Sequence, residues 1–372
     1  MSEAVATDPK ASDAPSYVKA DDLRAFVQDV LVKLDVPRDD AYITADVLVE
    51  GDLRGVDSHG VARLYSYYVE RLQKGLIDPR ATVTVLRETP VSVALDGGNG
   101  LGQVVSYRAM TTVIEKAGQS GMAMATVRHS NHFGIAGYYA MMALKHDMIG
   151  MVFTNTQPLV MPLFGRKIMT GTNPIAVAVP CGTERPWVLD MATSVVPKGK
   201  LEVAARKGVE MPFGWAVDRE GLPTTDPNVA LAGGAPMPLG GTRELGGHKG
   251  YDLAIFVDIF AGILSGASYG PHVGQGGGAR DIGHYFMAFR PDLFMDTNEF
   301  KSRMDVFVRE LKETPPSPGA DRVLVAGEPE DAAYERYLTS GIPIHPKVMQ
   351  TLTDMSNQVG VPLPPHSASP LS

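Results

Sequence analysis

The middle of the chain, from about residue 123 to residue 189, contains several short apolar runs that Gly, Pro and Asn separate. Three of these runs, at 149–153, 175–179 and 187–189, are predicted to be strands. They do not alternate regularly with long helices, as the strands of a doubly wound parallel sheet do. The sequence therefore predicts an α/β fold whose sheet is largely antiparallel or mixed.

Segments on both sides of this region have the apolar spacing of helices. In the first of them, one stripe carries Leu23, Phe26 and Val30, and Pro37 stands where the second helix starts. The alternation of Val83, Val85 and later residues predicts a strand within 82–95. The predicted helices cover 21–34, 37–53, 61–75, 104–117, 138–144, 251–265, 298–313 and 346–359, and a short one begins at 334.

The glycine-rich turn at 96–102 leads into a predicted helix, as the first turn of a Rossmann fold does. The dinucleotide fingerprint requires Gly-x-Gly-x-x-Gly. Counting from Gly98 and Gly100, the third position is Gln103, and no acidic residue follows with the right spacing. The glycine-rich segment 274–278 has no strand leading into it and is predicted to be a loop. The chain therefore lacks the ordinary dinucleotide fingerprint.

Composition and charge exclude several classes of function. The formal net charge is −8 and no block of Lys and Arg offsets it, which argues against a nucleic-acid partner. The longest apolar stretch, 253–267, contains Asp258 and several glycines and is too short to span a bilayer. Residues 1–16 lack the features of a signal peptide and are predicted to be disordered. The single cysteine, Cys181, cannot form an intrachain disulfide, which indicates a reducing compartment and a cytoplasmic protein.

The segment 57–63 combines an imidazole and a guanidinium directly after a predicted helix. His59 can give or take a proton near neutral pH, and Arg63 can bind a carboxylate through two parallel hydrogen bonds. An enzyme of 2-oxo or 2-hydroxy acids needs this pair, although a histidine at a helix end also serves as a cap or a packing residue. A serine hydrolase is not predicted, because neighbouring side chains such as Ser58 and His59 diverge and the chain has no Gly-x-Ser-x-Gly elbow.

His132 precedes a predicted helix and is a candidate acid or base, or a hydrogen-bonding group for a carbonyl oxygen. Packing at a helix start would also explain it. His129 lies three residues earlier, but no third ligand has matching spacing, so no metal site is predicted.

Two further turns are candidates for phosphate binding. Thr193 and Ser194 follow a predicted strand, and their backbone N–H groups would cradle a phosphate if they are free. Lys249 stands at the start of a predicted helix, where a cation is unfavourable unless an anion is present. A bound phosphate would supply that anion.

Six motifs taken together resemble the type-2 malate/L-lactate dehydrogenase family, also described as sulfolactate dehydrogenase-like. This family includes ureidoglycolate dehydrogenase, diketogulonate reductase and piperideine-2-carboxylate reductase. The similarity extends from about residue 23 to residue 330. The motifs are Asp57–Leu64, Ser130–Tyr139, Gly171–Pro180, Asp190–Ser194, Gly214–Asp218 with Pro223–Asp226, and Gly246–Gly250.

The resemblance implies a nicotinamide-dependent enzyme whose cofactor domain is not a Rossmann fold, with NAD or NADP as the cofactor. It implies a cofactor-binding domain at 126–319 with a largely antiparallel sheet. A helical substrate and dimerisation domain would combine 17–125 with 320–372. The active site would form near the interface of a homodimer.

By motif position, His59 would be the catalytic acid or base with Ser58 beside it, and Arg63 would hold the substrate carboxylate. His132 would contact the reacting oxygen or act as the base. Residues from several segments would line the cofactor: Thr156, Asp190, Met191, Ala192, Thr193, Ser194, His248, Lys249, the stretch from Asp281 through Gly283 to His284, Gly327, Glu328 and Pro329.

We therefore expect reversible hydride transfer between a nicotinamide and C2 of a small 2-oxo acid. Reduction of a cyclic imine carboxylate is an alternative within the same family, and a nucleotide- or metabolite-binding protein without turnover is an alternative of another class. Tyr65 replaces a proline of the family pattern, so the family pattern does not identify the side chain of the substrate. Arg166 and Lys167 are loosely placed candidates for choosing between NAD and NADP.

Overall fold

The computed structural model describes residues 14–371. The helices are α1 (Ala20–Val32), α2 (Arg38–Leu53), α3 (Glu70–Gln73), α4 (Gly102–Ser120), α5 (Ala136–Met142), α6 (Lys198–Lys207), α7 (Pro227–Leu231), α8 (Gly247–Val257), α9 (Thr297–Lys312), α10 (Glu328–Ser340) and α11 (Pro346–Val359). The strands are β1 (Ser16–Val18), β2 (Thr84–Thr89), β3 (Ser92–Asp96), β4 (Met122–Ser130), β5 (Ile149–Thr154), β6 (Ile175–Val179), β7 (Trp187–Met191), β8 (Ala216–Val217), β9 (Pro223–Thr224), β10 (Ala235–Pro236), β11 (Ile282–Phe289), β12 (Ile342–Ile344) and β13 (His366–Ser367).

The chain divides into two compact units. The larger unit is formed by residues 76–327, and the smaller unit joins the two ends of the chain, up to 75 and from 328 onward. The predicted boundary at residue 125 is wrong, because β2, β3 and α4 belong to the larger unit. The reason is strand pairing: β3 pairs in parallel with β4, and α4 is the crossover between them.

The larger unit contains a seven-stranded mixed sheet in the order β2-β3-β4-β11-β5-β6-β7. All neighbouring strands are antiparallel except β3 and β4. This arrangement confirms the predicted α/β fold with a largely antiparallel sheet. The predicted strand at 82–95 is in fact the hairpin of β2 and β3. A smaller sheet in the order β10-β8-β9 lies in the same unit.

The smaller unit is built around the contacting helices α1 and α2 and a short sheet in the order β12-β1-β13. One face of α1 buries Leu23, Val27 and Leu31, as the apolar spacing predicts. Asp39 and Asp40 lie in the first turn of α2, where the helix dipole favours negative charge. Of the tail predicted at 1–16, residues 1–13 lie outside the described residues.

The segment after α2 was predicted to be one helix over 61–75, and the structure divides it. A 3₁₀ turn at Val61–Arg63 leads into a π-helical turn at Leu64–Val69, which is followed by α3. The apolar residues that suggested the helix are buried, so the pattern identified the inward side correctly. It carried no information on the hydrogen-bond register.

No helix in the part of the chain from residue 14 to residue 371 combines the length and the apolar character needed to cross a membrane.

Candidate functional site

The loop that follows α2 holds Ser58, His59 and Arg63 on two successive 3₁₀ turns, Asp57–His59 and Val61–Arg63. The Oγ of Ser58 lies 2.9 Å from the Nδ1 of His59. The Nε of Arg63 donates a hydrogen bond of 2.6 Å to the backbone carbonyl of Ser58. One short loop therefore fixes an imidazole and a guanidinium through their shared neighbour.

The guanidinium of Arg63 is oriented from a second side by an aromatic ring. Its central carbon lies 5.2 Å from the centroid of the Tyr67 ring. Such a contact is favourable for a planar cation. Tyr65, which stands at the proline position of the family pattern, is half-buried in the π-helical turn between them. The planar fork of N–H donors in arginine matches the geometry of a carboxylate.

His59 is neutral at physiological pH in this state. Burial lowers the pKa of His59 to about 4, the positive charge of Arg63 acts in the same direction, and Asp57 opposes them. A neutral imidazole can accept a proton from a substrate hydroxyl. An anion bound at Arg63 would cancel part of the charge that depresses the pKa, so the protonation state of His59 is coupled to substrate binding.

Sequence reasoning missed Asp52, which lies in the last turn of α2 and is only 4% exposed. Its Oδ2 accepts the backbone N–H of Val61 at 2.8 Å. Burial raises the pKa of Asp52 to about 8. The available signal was an acidic residue among the buried positions of a helix, followed by a glycine at Gly60 that leaves room for it.

In the larger unit, His132 is half-buried on the loop between β4 and α5. Its Nδ1 accepts the backbone N–H of Gly134 at 3.4 Å, which favours the tautomer with the proton on Nε2. The neighbouring Asn131 donates through its side-chain amide to the carbonyl of Gly100 at 2.9 Å. The loop is therefore held on both sides of His132.

Asp190 anchors the helix that follows this loop. Its Oδ2 accepts the N–H of Gly137 in the first turn of α5 at 2.7 Å. A Cβ at Gly137 would stand only 3.0 Å from that oxygen, so glycine permits the close approach. Asp190 thus joins the end of β7 to the start of α5, and its role toward a cofactor stays a prediction.

The phosphate cradle predicted at Thr193 is wrong. The N–H of Thr193 donates to the carbonyl of Thr172 at 2.8 Å and is therefore not free. Its hydroxyl donates to the carbonyls of Thr172 and Asn173, both at 3.1 Å. The Oγ of Ser194 donates to the carbonyl of Val196 at 3.2 Å. Both side chains are buried; Thr193 holds the turn to the loop at 172–173, and Ser194 bonds within its own turn.

Thr156 belongs to the same polar cluster. Its Oγ1 accepts the N–H of Thr172 at 3.0 Å, and its own N–H donates to the side chain of Asn173 at 3.1 Å. Thr156 is half-buried, as are Met191 and Ala192 in the turn after β7. These residues remain candidates for contact with a cofactor.

The stretch from Asp281 to His284 is part of the framework of the sheet. Asp281 accepts the N–H of His129 at 2.9 Å and the N–H of Ser268 at 2.8 Å. Gly283 is buried, and a Cβ there would overlap the carbonyl of Ala261. His284 is 0% exposed, and burial lowers its pKa to about 3. Contact of His284 with a cofactor is therefore contradicted.

A cluster of basic side chains surrounds the first turn of α8. The Nη1 of Arg243 lies 2.8 Å from the Nδ1 of His248, and Lys249 is exposed in the next position. Gly247 and Gly250 allow the helix start to pack against the backbone at 239–242, since a Cβ at either would overlap it. Cations at a helix N-terminus repel the dipole, so this arrangement fits a bound anion such as a phosphate.

Gly327 closes the larger unit and has a positive φ of 95°. An ideal Cβ at Gly327 would lie 3.3 Å from the Cβ and from the backbone N of Val188 in β7. Glu328 and Pro329 are the first residues of α10. Contact of Gly327, Glu328 and Pro329 with a cofactor stays a prediction.

The imidazole of His129 is bound to a carboxylate rather than directed to a shared metal site with His132. Its Nδ1 lies 2.9 Å from the Oδ2 of Asp96. Within residues 14–371, no group of three or more His, Cys, Asp and Glu side chains could hold a metal ion.

Comparison with known proteins gives one consistent family. The sequence profile of the malate/L-lactate dehydrogenase family matches residues 18–353. A malate dehydrogenase of Pyrococcus abyssi is 46% identical over 350 residues, which is 93% of this chain and 96% of that protein. An L-sulfolactate dehydrogenase of Methanothermobacter thermautotrophicus is 38% identical over 342 residues, covering 91% of this chain and 96% of that protein.

A solved structure extends the similarity to three dimensions. The structure of malate dehydrogenase from Pyrococcus horikoshii OT3 superposes with a TM-score of 0.87 at 42% identity. The superposition covers 95% of this chain and 97% of that one. Sequence and fold are therefore shared over nearly the whole length.

Proposed function

We propose that this chain, which belongs to the malate/L-lactate dehydrogenase family, interconverts a small 2-oxo acid and its 2-hydroxy acid with Arg63 and His59 at the reacting end of the substrate. Family membership makes the protein an oxidoreductase of 2-hydroxy acids. The assignment of individual residues is the proposal. The single observation that carries it is the loop on which Ser58 links His59 to Arg63.

Arg63 binds and orients the substrate carboxylate in this proposal. Its Nε is fixed on the carbonyl of Ser58 and its plane on the ring of Tyr67, so the guanidinium loses little freedom when an anion binds. Holding the carboxylate places C2 and its oxygen at a defined distance from the loop. Positioning of this kind lowers the barrier because the reacting groups are already aligned.

His59 moves the proton at the C2 oxygen. The neutral imidazole, whose pKa is lowered to about 4, accepts the proton of the hydroxyl during oxidation. During reduction the same group must carry a proton, and a carboxylate beside Arg63 raises its pKa toward that state. His132 is proposed as a hydrogen-bond donor through Nε2, the nitrogen that carries the proton when Nδ1 accepts from Gly134.

A nicotinamide cofactor supplies or accepts the hydride when bound, and the larger unit has donors that fit its phosphates. Arg243, His248 and Lys249 place basic side chains at the first turn of α8. We propose that they hold a cofactor phosphate. Titration of the protein with NAD, NADP and their reduced forms, in the native chain and in Lys249→Met, tests this point and identifies the preferred cofactor.

The names of the relatives support a narrower substrate class. Malate and sulfolactate are 2-hydroxy acids that carry a second acidic group, and the proteins named for them are 46% and 38% identical to this chain. We therefore propose a 2-oxo acid with a second anionic group, and oxaloacetate is the first substrate to test. Pyruvate and a cyclic imine carboxylate are the comparison substrates.

The decisive experiment follows the absorbance of NADH or NADPH against this panel. Oxidation of the reduced cofactor in the presence of a 2-oxo acid supports the proposal. Oxidation with the cyclic imine alone would mean that the protein is an imine reductase. Cofactor binding without any turnover would favour a binding protein. His59→Ala is expected to bind the cofactor normally and to lose at least 100-fold in turnover, as is typical for a general acid or base.

We also propose a homodimer in the cytoplasm. The helix that starts at Gly247 and its continuation expose Ile259, Ile263 and Leu264, which are 45%, 54% and 61% exposed. An apolar surface of this kind is typical of a subunit interface. Light scattering during size-exclusion chromatography should give twice the chain mass, and Ile263→Glu should shift it toward the monomer. Cell fractionation tests the compartment.

A further inference from the structure

The carboxyl group of Asp52 connects the end of α2 to the loop that carries His59 and Arg63. Its side chain is 4% exposed, and its Oδ2 accepts the N–H of Val61 at 2.8 Å. Val61 is itself only 1% exposed, so water does not compete for this hydrogen bond. Val61 stands two residues after His59 and two before Arg63. One anchored N–H therefore restrains both side chains.

The backbone around this carboxyl group is shaped to admit it. A Cβ at Gly60 would overlap the carboxylate of Asp52. The φ of Gly60 is −87°, so a left-handed backbone is not what requires glycine here, and the close contact with Asp52 favours it. An ideal Cβ at Gly51 would lie 3.5 Å from the carbonyl of His59. The end of the helix and the loop are thus packed backbone to backbone with one acid between them.

We propose that Asp52 is a positioning residue, which holds the loop in the conformation in which His59 and Arg63 act on one substrate molecule. The inference rests on the proposed function of those two residues. Without the acceptor at Asp52, the N–H of Val61 is left buried and unpaired, and the loop must rearrange to bind water.

The charge state of Asp52 decides which substitution is conservative. Burial raises the pKa of Asp52 to about 8, the hydrogen bond from Val61 opposes this, and the carboxylate of Asp57 adds to the increase. At neutral pH the carboxyl group is therefore mainly uncharged. An asparagine presents the same carbonyl acceptor without charge. Asp52→Asn should preserve the contact, and Asp52→Ala should remove it.

The test compares Asp52→Ala, Asp52→Asn and a control, Asp40→Ala. Asp40 is also buried, at 8% exposure, but lies twelve residues earlier on the same helix, about 18 Å away. Asp52→Ala is expected to lower kcat/KM for the 2-oxo acid at least tenfold, with cofactor affinity unchanged within twofold. Asp52→Asn is expected to stay within threefold of the native chain. Asp40→Ala is expected to leave kcat/KM within twofold of the native chain, whatever its effect on melting temperature, and a larger change would overturn the inference.

Gly60 tests the same contact from the other side. Gly60→Ala should lower kcat/KM at least tenfold, because the added Cβ displaces the carboxyl group of Asp52. In the Asp52→Ala background the space is vacant, so the same change should add less than a threefold loss. Losses that simply multiply would overturn the inference. If Asp52→Ala does not fold, Gly60→Ala and Asp52→Asn still test the positioning role of Asp52. A native value of kcat/KM in Gly60→Ala would also overturn the inference.

Hydrogen exchange of the peptide 57–63 measures how strongly the contact between Asp52 and Val61 orders the loop, without any substrate. The native chain and Asp52→Asn should be protected, and Asp52→Ala should exchange at least tenfold faster. Equal protection in the native chain and Asp52→Ala contradicts the positioning role. A native chain that turns over no substrate contradicts only the proposed function, and the exchange data still decide whether Asp52 orders the loop.

Discussion

The imidazole of His284 stacks on the ring of Phe133, with the two centroids 4.7 Å apart and the two planes inclined by 3°. Its Nδ1 lies 2.7 Å from the Oγ1 of Thr154, and its Nε2 lies 2.8 Å from the Oγ of Ser130. The ring thereby joins the ends of β4 and β5 through β11. Because Ser130 is two residues before His132, this contact also fixes the start of the loop on which His132 lies.

We expect His284→Ala to destabilise the protein by about 3 kcal/mol. The change leaves a cavity beside Phe133 and removes one hydrogen-bond partner from each of two buried hydroxyl groups, and each effect costs about 1–3 kcal/mol. Urea unfolding at pH 7.5 measures the loss. His146→Ala is the control because His146 is exposed and should change stability by less than about 0.5 kcal/mol. Equal stability of the two variants would refute the role of His284.

The pH dependence of stability gives a separate test of His284. Burial lowers the pKa of His284 to about 3, whereas the unfolded chain has the ordinary value of 6.5. Between these values the unfolded state binds a proton that the native state does not, so stability falls as the pH drops below about 6.5. His284→Gln removes this contribution. Its deficit in unfolding free energy should therefore shrink by about 2 kcal/mol from pH 7.5 to pH 5, and a constant deficit would contradict the shift.

The sequence pattern predicted strands at β2 with β3, at β5, at β6 and at β7, but it missed β4 and the central strand β11. β11 is buried at each of its first five residues, so it lacks the alternation that marks a half-exposed strand. It also contains Gly283 and His284, which lower any estimate of strand propensity. Their partners, Ser130 and Thr154, are more than 120 residues away in the sequence. No local pattern could supply these contacts.

The candidate site divides in the same way. The residue types and spacing of His59 and Arg63 predict proton transfer and carboxylate binding, and the structure places both on one loop; their roles stay a proposal. Asp52 could not be predicted, because its importance depends on how closely the end of α2 approaches Gly60. A phosphate cradle at Thr193 requires a free N–H group, and a carbonyl from another loop accepts that N–H. Local chemistry was predictable and contacts between distant segments were not.

Arg63→Lys should raise KM for the 2-oxo acid about 100-fold. A lysine keeps the charge but cannot form two parallel hydrogen bonds with a carboxylate, and the loss of about 3 kcal/mol corresponds to that factor. Steady-state kinetics with saturating cofactor measure the change. Arg303→Lys is the matched control, because Arg303 is an exposed residue of α9 whose side chain is 70% exposed. An unchanged KM in Arg63→Lys would exclude Arg63 as the carboxylate ligand.

The oxidation of the 2-hydroxy acid should depend on pH through His59. The pH dependence of kcat/KM follows the ionisation of groups in the free enzyme. The value of kcat/KM should therefore rise with pH through about 4 and be level near neutrality. Arg63→Met removes a positive charge that lowers the pKa of His59, so the acidic limb should move to higher pH. NMR titration of the imidazole gives the same shift without turnover. An unmoved limb would mean that Arg63 does not control this proton.

Asp305 fastens the turn between β6 and β7 to α9. The side chain is 6% exposed and accepts the backbone N–H groups of Gly182, Thr183 and Glu184 at 2.8–3.0 Å. Burial alone would raise its pKa, but these hydrogen bonds outweigh it and lower the pKa of Asp305 to about 2. The charged carboxylate is therefore the form that holds the turn.

Asp305→Ala should cost about 3 kcal/mol of unfolding free energy, because three N–H groups in part-buried hydrogen bonds lose a charged acceptor. Asp296→Ala removes an acid that caps the same helix and should cost only about 1 kcal/mol. The native pKa of Asp305 lies below its unfolded value, so its contribution is present above about pH 4 and is lost as the pH falls toward 2. Chemical unfolding at pH 7 and pH 3 should accordingly show a smaller deficit for Asp305→Ala at the lower pH. Equal deficits for the two variants at pH 7, or a deficit that grows in acid, would refute this account of the turn.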